Sequence, residues 1–230
     1  MNTLQERYVE LKSHVAELIE KSGRNSAVTM IAVSKFQPVE SIEILYHLGQ
    51  RDFGENYVQE LLEKDRVLRE KGIQDIRWHF IGHLQRNKVK ALLPIVDILH
   101  TVDSLELATE IAKRWRSLDR QQKVKIFLEV NLHSEPSKAG FDPSQLKTNI
   151  HLIAQIQELE ILGLMCIPDP LQDPGESFAA LREIELSYRP LTHCQLSMGM
   201  SSDYAVAIQE GATHIRVGTS LFGARQRPSA

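Results

Sequence analysis

The sequence has few cysteines, no long apolar run and no block of like charge. Its two cysteines, Cys166 and Cys194, form no CxxC pair among the 230 residues, so no disulfide framework is expected. No apolar run reaches the roughly 20 residues that a membrane-spanning helix needs. The first 20 residues are studded with Glu, Lys and Arg, which does not fit a signal peptide. We therefore expect a cytoplasmic protein without a membrane partner.

The charge balance argues against nucleic acid as the main partner. The formal net charge is −3 and the basic residues form no cluster. Apolar residues make up 42% and charged residues 25%, which is ordinary for a globular protein. No Pro/Gly/Ser-rich linker, repeat or low-complexity tract interrupts the chain. We therefore expect one domain over residues 1–230.

Strand-like and helix-like segments alternate along the chain. A helical stripe covers residues 3–22. The eight strand-like runs that follow are expected at 28–35, 51–56, 77–83, 97–103, 123–133, 161–168, 193–198 and 214–219. Helix-like segments separate them at 38–49, 57–71, 87–93, 104–118, 143–158, 174–188 and 203–211. The Glu-Lys-rich helix face at 60–71 is expected to be ordinary solvated surface.

This alternation predicts parallel strands joined by right-handed crossovers. An open doubly wound sheet and a closed barrel both satisfy it. No GxGxxG follows the first strand, which disfavours the dinucleotide-binding open sheet. Because eight strands favour closure, we predict a single (β/α)8 TIM barrel with an extra N-terminal helix.

The first predicted strand carries a lysine at its carboxyl end. Residues 28–34 are almost wholly apolar, and Lys35 follows them directly, three residues before Pro38. An ammonium group that loses its hydration is pushed toward the nucleophilic free amine. Alternatively, the side chain snorkels to the rim of the sheet.

Other polar residues also collect at predicted strand ends, where such barrels hold their sites. The loop of residues 199–203 is rich in Ser and Gly and runs into a helix, and Gly218 and Thr219 follow the last strand. Such groups form an anion site, or simply a capped turn. Together with Lys35, an anion site suggests a phosphorylated carbonyl compound held by the loops and attacked by the lysine as a Schiff base.

Three other chemistries have weaker support. His79 and His83 would lie about 13 Å apart along a strand, too far for one metal ion, so no metal is expected. Glu129 could be a general base, although pairing with a barrel lysine or arginine is the more ordinary role. Ser197 lacks a GxSxG setting, so a catalytic triad is not indicated.

Several motifs, in order across nearly the whole chain, resemble those of the pyridoxal-phosphate homeostasis proteins, which are relatives of the alanine racemase N-terminal barrel domain. The motifs are VSK at 33–35, FGENY at 53–57, WHFIGHLQRNK at 78–88, VN at 130–131 with KAG at 138–140, GLM at 163–165, LSMGMSSD at 196–203 and RVGT at 216–219.

The resemblance implies a site for pyridoxal 5′-phosphate (PLP). It implies that Lys35 holds PLP as an aldimine and that Arg216 meets the pyridine nitrogen. It implies that hydroxyl and backbone groups surround the phosphate: Ser197, Ser201, Gly218 and Thr219. It also implies that three side chains line the ring pocket: Asn56, His79 and Met198.

The residues at this implied site also bear on activity. An arginine does not give its proton to the pyridine nitrogen, so the ring stays neutral and is a poor electron sink. Racemisation also needs a second base, which racemases take from an additional domain, and here the barrel is expected to use all 230 residues. The five tyrosines fall in predicted helices and offer no obvious base.

We therefore expect a PLP carrier that buffers or delivers the cofactor to PLP-dependent apoenzymes and so influences amino-acid and keto-acid pools. It would have little or no catalysis and act as a monomer. The alternatives are a PLP-dependent amino-acid racemase and a binding module that PLP only stabilises. Lys138 either takes part in cofactor transfer or is solvated.

Overall fold

Eight parallel strands close into a barrel in the computed structural model, which describes residues 2–24, 27–133, 135 and 138–223. The strands are β1 (Thr29–Val33), β2 (Asp52–Glu55), β3 (Arg77–Phe80), β4 (Ile98–Val102), β5 (Val124–Glu129), β6 (Leu159–Met165), β7 (Gln195–Met200) and β8 (His214–Val217). Each strand pairs in parallel with the next, and β8 pairs with β1. The predicted (β/α)8 barrel is confirmed.

Helices cover the outside of the barrel. They are α1 (Leu4–Lys21), α2 (Val39–His47), α3 (Val58–Glu70), α4 (Val89–Leu92), α5 (Leu105–Arg116), α6 (Pro143–Ala154), α7 (Pro174–Ser187), α8 (Tyr204–Gln209) and α9 (Thr219–Phe222). A 3₁₀ turn at Arg86–Lys88 precedes α4. None of the described helices is long and apolar enough to cross a membrane.

The extra N-terminal helix α1 begins at a capping box in which Thr3 and Glu6 satisfy each other's backbone N–H groups. It packs against α2, α8 and α9. Arg7 fastens it to the last helix by donating from Nε to the Leu221 carbonyl at 2.7 Å. The helix therefore joins the first and last parts of the described barrel.

Several strands end earlier than their apolar patterns predicted. The third strand was expected at 77–83 but ends at Phe80, and the sixth was expected at 161–168 but ends at Met165. The excess residues Ile81 and Ile167 are apolar because they line a cavity above the strands. His83 therefore lies in a loop, with its side chain 64% exposed, and shares no strand face with His79.

The strands alternate between two environments. Phe53, Trp78 and Phe80 point outward into the apolar layer beneath the helices, which we call the outer layer. Polar side chains such as Asp52 and His79 alternate with them and point into the barrel. The main hydrophobic core is thus the outer layer, while a smaller apolar cluster surrounds Phe127 inside the barrel.

Candidate functional site

A cavity of about 650 Å³ opens at the carboxyl ends of the strands. Six of the nine side chains and glycines predicted for the site line it: Lys35, Asn56, Ser201, Arg216, Gly218 and Thr219. The apolar part of its wall includes Val33, Ile81, Ile167, Met200 and Phe222. The cavity therefore combines one primary amine, one guanidinium and a group of hydroxyls with an apolar wall.

Lys35 follows β1 on a segment whose backbone is bonded on both sides. The carbonyl of Ser34 accepts a hydrogen bond from Lys64 Nζ at 2.7 Å. The N–H of Phe36, a residue in the left-handed region with φ of 62°, donates to Glu60 Oε1 at 2.6 Å. Because both neighbours are fixed, the Lys35 side chain starts from a defined position at the cavity.

Lys64 also forms ion pairs of 2.7 Å with Glu55 Oε1 and Glu60 Oε1, and we call these three residues the Lys64 network. Lys64 and Glu55 are buried, so the prediction that the 60–71 face is ordinary solvated surface is wrong at this position. Burial raises the pKa of Glu55, and the ammonium of Lys64 opposes that rise. A buried carboxylate is costly unless it is paired, so the network depends on Lys64.

The loops after β7 and β8 are joined by a serine. Ser201 Oγ accepts hydrogen bonds from the N–H groups of Gly218 at 3.2 Å and Ser220 at 3.1 Å. Ser220 Oγ in turn donates to the Ser201 carbonyl at 3.2 Å. We call Ser201, Gly218, Thr219 and Ser220 the loop cluster. Sequence reasoning missed Ser220, although it directly follows the predicted Gly-Thr pair.

Arg216 is buried at the floor of the cavity. Its Nη1 donates to Ser197 Oγ at 2.7 Å and its Nη2 donates to the Cys166 carbonyl at 3.0 Å. Burial lowers the pKa of Arg216, while nearby Glu129 opposes that shift. A guanidinium stays protonated at neutral pH and has only donors, so each terminal nitrogen keeps a second N–H to offer.

Three predicted site residues do not line the cavity. Ser197 is fully buried, and its hydroxyl contacts Arg216 and His100. His79 is fully buried below the cavity, and Met198 packs in the outer layer. The structure therefore does not bring Ser197, His79 and Met198 to the cavity wall, where the resemblance implies them.

Met198 follows the inward-facing Ser197 on β7, so it faces the outer layer by ordinary strand alternation. The pairing of β7 with β8 is irregular between Ser197 and Met200, and Gly199 between them has φ of 92°. Such a bulge changes which residues face inward. Met200, which pairs with Arg216 after the bulge, therefore lines the cavity.

Asn56 presents an unsatisfied acceptor at the cavity. Its Oδ1 is buried and has no hydrogen-bond partner among the described residues. The loop after β3 packs closely over it, since a Cβ at Gly82 would lie 2.1 Å from the Asn56 carbonyl oxygen. An acceptor left unpaired in a buried place is costly and is commonly satisfied by a bound group.

Glu129, near the mouth, is buried without an ion-pair partner in the described part of the chain. Burial raises its pKa to about 7, with a further contribution from Asp103, while Arg216 lowers it. The expected pairing with a barrel lysine or arginine is therefore not observed. Lys138 pairs instead with Glu135 at 2.5 Å, on the loop that also holds Asn131.

This arrangement suits a particular kind of ligand. A primary amine can condense with an aldehyde, hydroxyls and N–H groups can hold an oxyanion, and a guanidinium can donate to a ring nitrogen. The described residues include no group of three or more His, Cys, Asp or Glu side chains that could hold a metal ion. The geometry therefore fits a phosphorylated aromatic aldehyde.

Comparison with known proteins gives a full-length match. The model of the family described as "Alanine racemase, N-terminal domain" matches residues 9–226. The pyridoxal phosphate homeostasis protein of Aquifex aeolicus is 40% identical over 96% of this chain and 98% of its own length. That of Escherichia coli K12 is 33% identical over 98% of both chains.

Solved structures agree with this match. PipY of Synechococcus elongatus PCC7942, solved with PLP bound, is 36% identical to this chain and superposes with a TM-score of 0.83. The match covers 96% of this chain and 100% of PipY. An alanine racemase of Clostridium difficile has a TM-score of 0.68 at 14% identity, covering 93% of this chain and 59% of that one. The racemase likeness shows a common fold only.

Proposed function

The chain belongs to the pyridoxal phosphate homeostasis proteins, a family with the alanine racemase N-terminal barrel, and from that premise we propose that it is a PLP carrier. It binds PLP covalently through Lys35 and buffers or delivers the cofactor in the cytoplasm, where it acts as a monomer. Its partners are PLP-dependent apoenzymes, and through them it influences amino-acid and keto-acid pools.

One observation carries the proposal: Lys35, Arg216 and the loop cluster meet in a single cavity. Lys35 supplies the amine, the loop cluster takes the phosphate, and a free N–H of Arg216 donates to the pyridine nitrogen. The close match to PipY, whose structure was solved with PLP bound, supports the same ligand here.

The cavity fits PLP on an independent feature of this chain. Asn56 offers a buried acceptor without a partner among the described residues, which a polar substituent on the pyridine ring would satisfy. PLP supplies an aldehyde that condenses with primary amines. Lys35 therefore serves both as the holding group and as the group that an incoming amine displaces.

The same residues argue for a carrier with little turnover. Arg216 is a donor only, so it leaves the pyridine nitrogen unprotonated and the ring a weak electron sink. Racemisation also needs a base on the side of the cofactor opposite Lys35. No tyrosine is among the cavity-lining residues within the described ranges. The relatives are named as homeostasis proteins, which supports the same role.

The alternative is an amino-acid racemase, a function that the names of the relatives do not favour. Two assays distinguish the functions: transfer of PLP to an apoenzyme and catalytic turnover of an amino acid. PLP-loaded protein is mixed with an apo-aminotransferase, and recovery of transaminase activity is followed. In parallel, loss of the α-proton of alanine and other amino acids in D2O is followed by NMR.

If the protein is a carrier, the PLP-loaded protein restores the activity of the apoenzyme. Its rate of α-proton exchange does not exceed the rate with free PLP. Lys35→Ala should abolish the specific loading, and Lys138→Ala, a matched loop lysine, should retain it. Rapid α-proton exchange that depends on Lys35 would establish the racemase instead.

A further inference from the structure

Five polar side chains form a continuous hydrogen-bonded path inside the barrel. Asp52 Oδ1 lies 3.0 Å from His79 Nε2, and His79 Nδ1 lies 2.9 Å from His100 Nε2. His100 Nδ1 lies 2.8 Å from Ser197 Oγ, which accepts from Arg216 Nη1 at 2.7 Å. We call these residues the interior chain: Asp52, His79, His100, Ser197 and Arg216.

The interior chain runs from one opening of the barrel to the other. Asp52 and Arg77 are the first residues of β2 and β3, and Asp52 pairs there with the 57% exposed Arg77 side chain. Arg216 lies at the cavity on the carboxyl side. The contact between His100 on β4 and Ser197 on β7 joins strands that are not neighbours, so it crosses the lumen.

The two ends of the chain, together with the protonation of His79, set the direction of the hydrogen bonds within it. The Asp52 carboxylate only accepts, so His79 must carry its proton on Nε2. When Nδ1 of His79 carries no proton it accepts there, so His100 donates from Nε2 and accepts at Nδ1.

The last link follows from the same rule. Ser197 must donate its hydroxyl proton to His100 Nδ1, which leaves the oxygen lone pairs for Arg216, a group with donors only. One polarity therefore satisfies all four links.

The electrostatics of the buried groups agree with this polarity. Burial raises the pKa of Asp52, but the hydrogen bonds from Arg77 and His79 outweigh it and hold that pKa well below its usual range. Burial, with a smaller contribution from the charge of Arg216, holds the pKa of His100 well below 6.5. Asp52 thus remains a carboxylate and His100 remains neutral at physiological pH.

We propose that the interior chain positions Arg216, fixing which of its N–H groups face the cavity and linking the ring-nitrogen contact to Asp52 at the opposite opening. This inference rests on the proposed function, because it takes PLP as the group that Arg216 meets. His79, His100 and Asp52 are positioning residues that touch no ligand. A buried network in which every polar group forms its hydrogen bonds holds its side chains in one arrangement.

The first test needs neither a variant nor the cofactor. Long-range ¹H–¹⁵N correlation NMR of the unmodified apo protein reports the tautomer of each histidine. We expect His79 and His100 both to carry the proton on Nε2, with Nδ1 unprotonated. A proton on His100 Nδ1 would reverse the chain and overturn the inference.

The second test breaks and restores the chain at His100. His100→Phe keeps a ring against Phe127, whose centroid is 4.6 Å away, but removes both nitrogens. His100→Gln supplies one acceptor and one donor at the same level. His214→Phe is the matched control, because His214 also packs on Phe127, at 5.1 Å, and bonds Thr213 instead of the chain.

The readout is the absorption and fluorescence spectrum of bound PLP together with its Kd. His100→Phe should shift the spectrum and raise Kd about 5- to 10-fold, the factor expected for one misplaced hydrogen bond. His100→Gln should recover most of both, and His214→Phe should change neither. A His100→Phe protein with the wild-type spectrum and Kd would contradict the positioning role.

The two proposals fail separately. If the wild-type protein binds no PLP at Lys35, the proposed function fails, and with it the role assigned to the chain. If PLP binds Lys35 and the His100 and His214 variants behave alike, the positioning role fails alone. Should His100→Phe not fold, the tautomers of the wild-type apo protein still decide the polarity.

Discussion

The two faces of the barrel strands make different kinds of contact. The outward face of β3 carries Trp78 and Phe80, both buried among apolar side chains of the outer layer. The inward face carries His79, which is equally buried but bonded to two polar groups. The strand therefore alternates between residues that pack the barrel against its helices and residues that form hydrogen bonds inside the barrel.

This difference indicates that the stability of the fold comes mainly from the outer layer. Burying apolar area contributes about 25 cal/mol per Å², whereas a buried polar group contributes little net stability even when fully bonded. The outer layer can thus sustain the fold, and under our proposal the interior chain and the Lys64 network serve the site instead. Four substitutions test this division, in decreasing order of their expected effect on the free energy of unfolding.

Phe80→Ala should cost about 4 kcal/mol of unfolding free energy, since it leaves a cavity in the outer layer. The bound PLP spectrum of the remaining folded protein should be unchanged. Chemical denaturation measures the first quantity. Leu171→Ala, at a side chain that is 94% exposed, is the control and should cost less than about 0.5 kcal/mol. A large spectral change in Phe80→Ala would show that the two faces are not separate.

Lys64→Met should cost about 3 kcal/mol, because it leaves Glu55 buried and unpaired. It should also weaken PLP retention, since the Ser34 carbonyl loses its donor beside Lys35. Adding Glu55→Gln to Lys64→Met should recover part of the stability, as measured by denaturant titration. No recovery in the double variant would mean that the cost lies in packing rather than in the unpaired carboxylate.

Glu129→Gln should stabilise the protein by about 2 kcal/mol at pH 8. The pKa of Glu129 is raised to about 7 in the folded protein, from 4.5 in the ordinary case, so the native state holds this proton more tightly. Its contribution to stability therefore declines as pH rises from about 4.5 to 7. The gain should vanish below about pH 4.5.

Thermal unfolding of the Glu129→Gln variant and the wild type across this pH range measures the difference. Glu20→Gln, at an exposed position of α1, serves as the control and should show no such trend. A pH-independent difference for Glu129→Gln would place the pKa of this carboxyl near its ordinary value.

Lys35→Ala should change the unfolding free energy by less than about 1 kcal/mol, because the residue follows the last buried position of its strand and adds little packing. The same change should abolish covalent PLP binding. This variant therefore combines the smallest effect on stability with the largest effect on the site. Unfolding at much lower denaturant would show that Lys35 supports the fold as well.

Much of the barrel can be predicted from the sequence. Alternating apolar runs and the spacing of helical stripes predict eight strands, and the polar strand ends predict where the site lies. Lys35 and the Gly218–Thr219 pair are predicted in this way, because each follows or ends a strand whose direction is fixed by parallel pairing. Arg216 is predicted only from the family resemblance.

The remaining features depend on contacts that a local pattern does not contain. The bulge at Gly199 turns Met200 toward the cavity, and the sequence marks it only by a glycine within a strand. Ser197 and His79 are polar strand residues, but their partners lie on other strands. Lys64 is one of several charges on α3, and its burial follows only from the position of Glu55.

Borohydride reduction of the PLP-loaded protein, followed by proteolysis and mass spectrometry, tests the central claim most directly. The account predicts one phosphopyridoxyl group per chain, attached to Lys35. A group attached to Lys138, or scattered over surface lysines with Lys35 unmodified, would contradict it.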